Sequence, residues 1–497
     1  MKDIFLTTIN AKWIHPSLGL RLLKANLGAL EDRCEILEFA LRQPLAEKLE
    51  PFASASPRIL AVSVSIWNHL ATLELLGELE KMRAGQRQGH RPVHRPVIVL
   101  GGPEVSHLPP EAEIFRYADY VIRGEGETAF RVLCEKILAD GYEHSGTPPS
   151  AAQFINAENV DVSVIKSAYH LYTDEDITKK LIYVEASRGC PFNCEFCLSA
   201  VKDRADSGVR EFPLEPFLSE MDELVRRGVK TFKFLDRTFN INIKRACRIM
   251  EFFLEKIERK KGKDIVVHFE MVPSLFPPAL RQTLSRFPPG TLRLEIGIQT
   301  LNPQAAARIC RAGWQRQFNC QQSNCQEKEL DAIRFLREKT NAIIHVDLIA
   351  GLPGEDLVSF GMGFDRLISC LAMPNTDNGK APLPETDNIE IQIGILKLLP
   401  GAPISRHNDA FGMCYNSLPP YEIKETSAMS AADLLRIKNF ARFWEIIVNR
   451  RLLGFDANKF TFKKFLALSD FLYAHFGKNW GIDKNELLKT VKSFFNL

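Results

Sequence analysis

The sequence has no uninterrupted apolar run near the roughly 20 residues that span a bilayer, so no membrane-spanning helix is expected. Its start, MKDIFLTTINAKW, lacks a long apolar stretch and a small-residue cleavage site. It reads as a first strand, not a signal peptide. Charge is nearly balanced at +3, which leaves nucleic acid not indicated as a partner. Two stretches are locally basic, Lys244–Lys263 and the tail from Arg436 onward, and both are expected to be solvated helix faces. No repeat of solenoid length is present. These absences leave an ordinary globular protein, 45% apolar and 25% charged, whose default compartment is the cytoplasm. At 497 residues the chain is long enough for two or three domains. Its eleven cysteines, in a compartment that keeps thiols reduced, point to metal sooner than to disulfides.

The first ~140 residues alternate short strands with helices. Strands are expected at Ile4–Ile9, Cys34–Phe39, Ile59–Val64, Val97–Leu100 and Tyr120–Ile122. Helical periodicity covers Leu18–Leu30, Leu70–Met82 and Ala129–Leu138. That alternation predicts a parallel sheet with helices on both faces. Arg83–Pro96 reads as a surface loop, and Glu143–Gln153 has linker composition. A second series begins near Leu181, with strands at Leu181–Glu185, Thr231–Leu235, Val266–Met271, Arg293–Ile298, Ile343–Ile349 and Asn388–Leu396. Six β/α units make an incomplete barrel the expected form. Met373–Asn388 reads as a loop. From Leu418 the chain turns helical and aromatic; Ser430 with Asp433 marks a helix start, and Leu434, Ile437, Ala441, Trp444 and Val448 share one face.

The chemistry is concentrated in SRGCPFNCEFCLS, where Cys190, Cys194 and Cys197 have the spacing C-x3-C-x2-C just after an expected strand. Three thiolates on one loop hold three irons of a [4Fe-4S] cube and leave the fourth open for chemistry. A structural zinc site wants four closed ligands, and the loop offers no fourth cysteine or histidine. This spacing, with Phe196 before the last cysteine, resembles the radical S-adenosylmethionine (SAM) superfamily. The segments behind it resemble that family in order: FKFLDRTFN with Asp236, RLEIGIQTLNP with Glu295 and Gln299, HVDLIAGLPGED with Asp347 and Gly351, and QIGILKLLPGAPI. The resemblance implies that Glu295 reaches the ribose hydroxyls of SAM and that the Asp347–Gly351 segment packs near its adenine. Arg311–Glu329 departs from the pattern as an insertion bearing Cys320 and Cys325. They are taken as loop thiols, with Cys310 the nearest further cysteine.

Ahead of the barrel, VIVLGGPEVS and ADYVIRGEGE place glycines at strand ends, where ligands of open α/β sheets sit. No G-x-G-x-x-G follows the first strand, so NAD is a poor candidate. These segments, with VSVSIWN, resemble the cobalamin-binding domain fused to many radical SAM enzymes. The resemblance implies cobalamin contacts from Ser63, Ser65, Trp67, Asn68, Gly101, Gly102, Pro103, Glu104, Gly124, Glu125 and Gly126. Trp67 or Asn68 is the expected neighbour of cobalt. The D-x-H-x-x-G motif is absent and His15 has the wrong spacing, so no histidine is expected on the metal.

The expected fold is therefore α/β in three parts. A doubly wound cobalamin-binding domain (1–142) and a linker (143–180) lead into a partial (β/α)6 radical SAM barrel (181–403). A mainly helical C-terminal domain (404–497) resembles an uncharacterised extension of a subgroup of these proteins. The implied cofactors are a [4Fe-4S] cluster, SAM and cobalamin, and the implied partner is a low-potential donor such as flavodoxin or ferredoxin. The expected reaction is SAM cleavage, hydrogen abstraction from an unactivated carbon and methyl delivery to it, on an unidentified substrate. Radical rearrangement or oxidative cyclisation, with cobalamin as electron partner, is the second enzymatic reading. A non-enzymatic cobalamin sensor is the reading from another class.

Overall fold

The computed structural model describes residues 2–55, 57–87, 95–139, 151–200, 208–259, 265–311, 322–371, 388–452 and 460–495. The chain forms two compact units. One comprises Met1–Ala186, Arg210–Lys233 and Leu399–Gly401; the other comprises Ser187–Val209, Phe234–Leu398 and Ala402–Leu497.

In the first unit, strands β1 (Ile4–Asn10), β2 (Cys34–Ala40), β3 (Ile59–Ser63), β4 (Val97–Gly101), β5 (Tyr120–Arg123) and β6 (Gln153–Asn156) form one sheet of order β2-β1-β3-β4-β5-β6. Every neighbouring pair is parallel. Alternation along β1 explains the layering: Phe5 and Ile9 join one core with Phe52, Leu75, Leu76 and Leu79, which come from helices α1 (Leu45–Ser54) and α2 (His69–Arg87). Ile4 and Leu6 join the other core, with Leu20 of the helix Leu18–Ala25 and Phe130, Leu133 and Ile137 of α3 (Glu127–Leu138). Helices thus cover both faces, the doubly wound arrangement expected. The strand order reverses between β1 and β3, which puts the ligand crevice of such a fold at their carboxyl ends. One segment departs from expectation. Residues 153–156, read as linker, form β6, because their main chain continues the parallel ladder of β5 from Tyr120↔Gln153 to Arg123↔Asn156.

The second sheet contains β7 (Ile182–Val184), β8 (Thr231–Phe234), β9 (Val266–Met271), β10 (Leu292–Gln299), β11 (Ile343–Ala350) and β12 (Ile389–Ile395), in the order β12-β11-β10-β9-β8-β7. Strands β9 to β12 belong to the second unit and pair in parallel. Sequential order with intervening helices is that of a partial barrel. The helix Ile243–Arg259 shows how the basic stretch is used: Ala246, Ile249, Met250, Phe253 and Ile257 are buried, while Lys244, Arg248 and Arg259 face solvent.

The C-terminal residues pack within the second unit and do not form a third. Ser430 caps α4 (Ala431–Trp444) by accepting from Asp433 N–H. Phe440 and Trp444 of α4 stack at 5.7 Å and meet Phe364 and Phe465 edge-on. Phe443, Trp444, Phe460 and Phe462 are all buried core. Asn449 closes the open edge of β12: its amide donates to Ile391 O at 2.9 Å and its carbonyl oxygen accepts from Ile391 N–H at 3.2 Å. The loops expected at 83–96, 143–153 and 373–388 lie partly outside the described residues, as do Cys320 and much of its insertion. Cys325, expected as a loop thiol, instead lies in the helix Gln322–Lys339, buried and disulfide-bonded.

Candidate functional site

Just past β7 the chain turns at Gly189, whose φ of +93° excludes an ordinary side chain; a Cβ there would stand 2.6 Å from Gly208 O. The turn delivers Cys190, Cys194 and Cys197 to one cavity of about 280 Å³, with Phe192 and Phe196 on its wall. Cys190 Sγ lies 3.4 Å from Thr238 Oγ1, and burial pushes its thiol pKa up. Among the described residues, no three His, Cys, Asp or Glu side chains converge on a single metal ion. A cubane needs no such convergence, because each thiolate takes a different iron.

The barrel strands supply the rest of the cavity through their two-residue period. On β9, Phe269 and Met271 are buried and Glu270, between them, lines the cavity. On β10, Glu295, Gly297 and Gln299 do the same, and β11 adds Asp347. Register places Glu270 opposite Glu295 and Gly297 opposite Asp347. His268 Nε2 stands 3.1 Å from Glu295 Oε1. Gln299 adopts φ +70° where the ladder shifts register. Arg311, 6% exposed, reaches Cys194 Sγ at 3.7 Å and donates to the carbonyls of Ile298 and Gly297. Glu329 is fully buried and has no hydrogen-bond partner among the described residues, and burial raises its carboxyl pKa to about 8 against the opposing pull of Arg311.

Seven expected residues therefore meet here: the three cysteines, Phe196, Glu295, Gln299 and Asp347. Asp236 and Gly351 are placed otherwise. Asp236 is buried, and its carboxylate accepts from Ser187 Oγ at 2.6 Å, which ties the segment leading into the cysteine loop to the end of β8. Gly351, at φ +89°, has Ile423 and Leu434 so close that a Cβ would meet Ile423 at 2.7 Å. It makes room for the C-terminal packing. Glu270 and Arg311 were not singled out in the sequence. Glu270 carries the same alternation signal as Glu295, whereas Arg311 gives no local sign.

In the first unit the expected residues gather at the carboxyl end of the sheet, but several are internally committed. Asn68 is fully buried; its amide donates to Thr8 Oγ1, Ile9 O and Ser63 O, and its carbonyl oxygen accepts from Ser65 N–H. It stitches β1 to β3 across the reversal point. Glu104 is buried with Oε1 3.0 Å from His69 Nδ1, and Glu125 holds Arg210 and Val160 N–H. Gly102, at φ +103°, is required by Val64, whose carbonyl would lie 2.6 Å from a Cβ. His15 Nδ1 pairs with the Tyr183 hydroxyl at 2.8 Å, and burial lowers its pKa. Four large apolar residues stand exposed just beyond β1 and β3: Trp13 (49%), Ile14 (37%), Trp67 (53%) and Leu70 (46%). Apolar surface concentrated at the crevice fits a large ring-shaped ligand.

Residues 6–134 match the B12 binding domain, and residues 184–362 match the radical SAM superfamily. The chain joins a B12-binding domain to a radical SAM domain. An uncharacterised methyltransferase of Pyrococcus horikoshii is 33% identical over 165 residues, 31% of this chain and 36% of that protein. The cobalamin-dependent radical SAM methyltransferase TokK of Streptomyces tokunonensis is 25% identical over 203 residues, 37% of this chain and 28% of that protein. The chain thus aligns with about a third of each relative. The solved structure of the cobalamin-dependent SAM radical enzyme OxsB, with aqua-cobalamin bound, superposes with a TM-score of 0.62 at 14% identity, over 99% of this chain and 79% of that one. At that identity the likeness is one of fold. The two domains carry a [4Fe-4S] cluster, SAM and cobalamin as their cofactors. The residues present fit all three: three thiols lining one cavity, polar side chains on its other walls, and exposed apolar residues at the strand reversal.

Proposed function

We propose that this protein methylates an unactivated carbon of a small or macromolecular substrate, using SAM both as radical source and as methyl donor. The observation that carries the reading is the cavity in which Cys190, Cys194 and Cys197 share walls with Glu270, Glu295, Gln299, Arg311 and Asp347, in a chain that also has the B12-type sheet. When bound, the cluster supplies the electron for reductive cleavage of SAM, and cobalamin supplies a cobalt centre able to carry a methyl group.

Cys190, Cys194 and Cys197 are the cluster ligands in this reading, and Phe196 screens them from water. Arg311 offers the SAM carboxylate a cation that cannot be deprotonated. Glu295, opposite Glu270, accepts from the ribose hydroxyls, and Gln299 and Asp347 orient the nucleoside. In the first unit Ser63, Ser65, Trp67, Gly101, Gly102, Pro103, Gly124 and Gly126 form the cobalamin-facing edge. Asn68, Glu104 and Glu125 hold that edge from within. His69 is paired with Glu104 and His15 with Tyr183, each through Nδ1, and in this reading neither would serve as a ligand to cobalt. An electron donor of the flavodoxin or ferredoxin kind completes the system. A reducing cytoplasm suits the cluster, and no helix among the described residues is long and apolar enough to cross a membrane.

The test is an anaerobic incubation of cobalamin-loaded, cluster-reconstituted protein with a low-potential reductant, methyl-deuterated SAM and a whole extract of cells lacking the gene. The reading expects a product enlarged by one labelled methyl on carbon, and a Co(II) paramagnetic resonance spectrum without nitrogen splitting. SAM cleavage by protein that retains no cobalamin would refute it. A nitrogen-split spectrum abolished by His15→Ala would refute the ligand assignment.

A further inference from the structure

Between the second and third cysteines of the loop sits a carboxylate that the chemistry above leaves unused. Glu195 follows Cys194 directly and is 4% exposed. Its backbone N–H donates to Ile309 O, and its carbonyl accepts from Ile404 N–H, both at 3.0 Å. Oε2 accepts from Arg406 Nε at 3.0 Å and from His407 Nε2 at 2.8 Å. Oε1 accepts from Cys310 Sγ at 3.2 Å and pairs with the Arg406 guanidinium. A buried carboxylate is tolerated when it is paired in this way, and each oxygen here has two partners.

The partners come from distant parts of the chain. Cys310 is 115 residues further on, while Arg406 and His407 are 211 and 212 residues away. Cys310 takes φ +48°, an unusual conformation for a cysteine, to present its thiol there. The next residue, Arg311, reaches Cys194 Sγ at 3.7 Å. Cys194 is therefore braced twice, through the main chain by Glu195 and at its sulfur by Arg311.

We infer that Glu195 is a positioning residue for the cluster. Held by Arg406 and His407, it fixes Cys194 and so sets where the cube and its open iron face the cavity. The short helix Pro403–His407, which supplies no ligand, is by this account part of the cluster site. The inference rests on the reading that Cys190, Cys194 and Cys197 hold the cluster.

The experiment compares full-length reconstituted wild type, Glu195→Gln, Arg406→Gln and Arg406→Lys. The Arg406 side chain is 60% exposed, so its substitution leaves the fold intact even if Glu195→Gln misfolds. Four quantities are read: iron per chain, Tm, the paramagnetic resonance of the reduced cluster with and without SAM, and 5′-deoxyadenosine formed. Hydrogen exchange of residues 189–200 is read in cluster-free protein. Glu195→Gln and Arg406→Gln are expected to keep wild-type iron and Tm, yet show an altered SAM-induced spectral change. SAM cleavage should slow by about ten- to a hundredfold, the cost of a small misplacement, and loop exchange should quicken. Arg406→Lys, which keeps the charge and a donor, should recover part of the loss. Wild-type spectra and cleavage in both variants would overturn the inference, as would losses that merely track iron or Tm. Failure of the underlying reading is separate and visible in wild type, as a protein that binds no cluster at all.

Discussion

Glu270 and Glu295 stand on paired positions of β9 and β10, so two carboxylates face the cavity within one inter-strand spacing. His268 Nε2 lies 3.1 Å from Glu295 Oε1, from the neighbouring strand. Glu295→Gln is expected to weaken SAM binding by about 1.5–3 kcal/mol, the value of a hydrogen bond to a charged group, with iron content unchanged. Calorimetric titration of SAM into Glu295→Gln and Glu270→Gln checks this; a larger loss in Glu270→Gln would move the ribose contact one strand over. Loss of iron along with affinity would make Glu295 structural. At this scale the sequence was readable where the chemistry is local. Cysteine ligands on one loop announce themselves by spacing, and Glu295 by alternation. What the sequence does not show is which groups of the protein such residues also meet: Asp236 meets Ser187, Asn68 meets Ile9 and Ser63, Glu104 meets His69 and Gly351 packs by Ile423, all from other elements. Arg311 was invisible for the same reason.

Elements were legible in proportion to their burial. Each barrel strand falls within two residues of its expected bounds, since buried Val, Ile and Phe on a two-residue period leave few alternatives. β6 escaped notice because its four residues are half-exposed and show no alternation. α1 escaped because it starts after Pro44 and contains Pro51, which reads as a break. The start of α4 was legible in detail: Ser430 Oγ both accepts from Asp433 N–H and donates to its carboxylate at 2.7 Å. Ser430→Ala should cost about 1 kcal/mol of stability. A denaturant titration that shows no change would mean that the aromatic packing of α4 holds its first turn without the cap.

At the scale of the whole molecule the chain divides into two compact units, and residues 402–497 belong to the second with strands β9 to β12. The reason lies in the edge of β12. An open strand edge exposes unpaired main-chain groups, and Asn449 with the aromatic face of α4 covers it. Composition marks such a segment as helical but cannot say what it packs against. The same segment carries Arg406 and His407 to the cysteine loop, which gives the C-terminal region a place in the cluster site and not beside it. The claim on which everything else depends is that Cys190, Cys194 and Cys197 hold a single SAM-cleaving cluster. Anaerobically reconstituted wild type and the variant with all three cysteines changed to alanine, each reduced in the presence of SAM, test it through 5′-deoxyadenosine formation and bound iron. The account predicts about four irons and steady 5′-deoxyadenosine in wild type, and neither in the variant. A variant that kept about four irons and still cleaved SAM would contradict it.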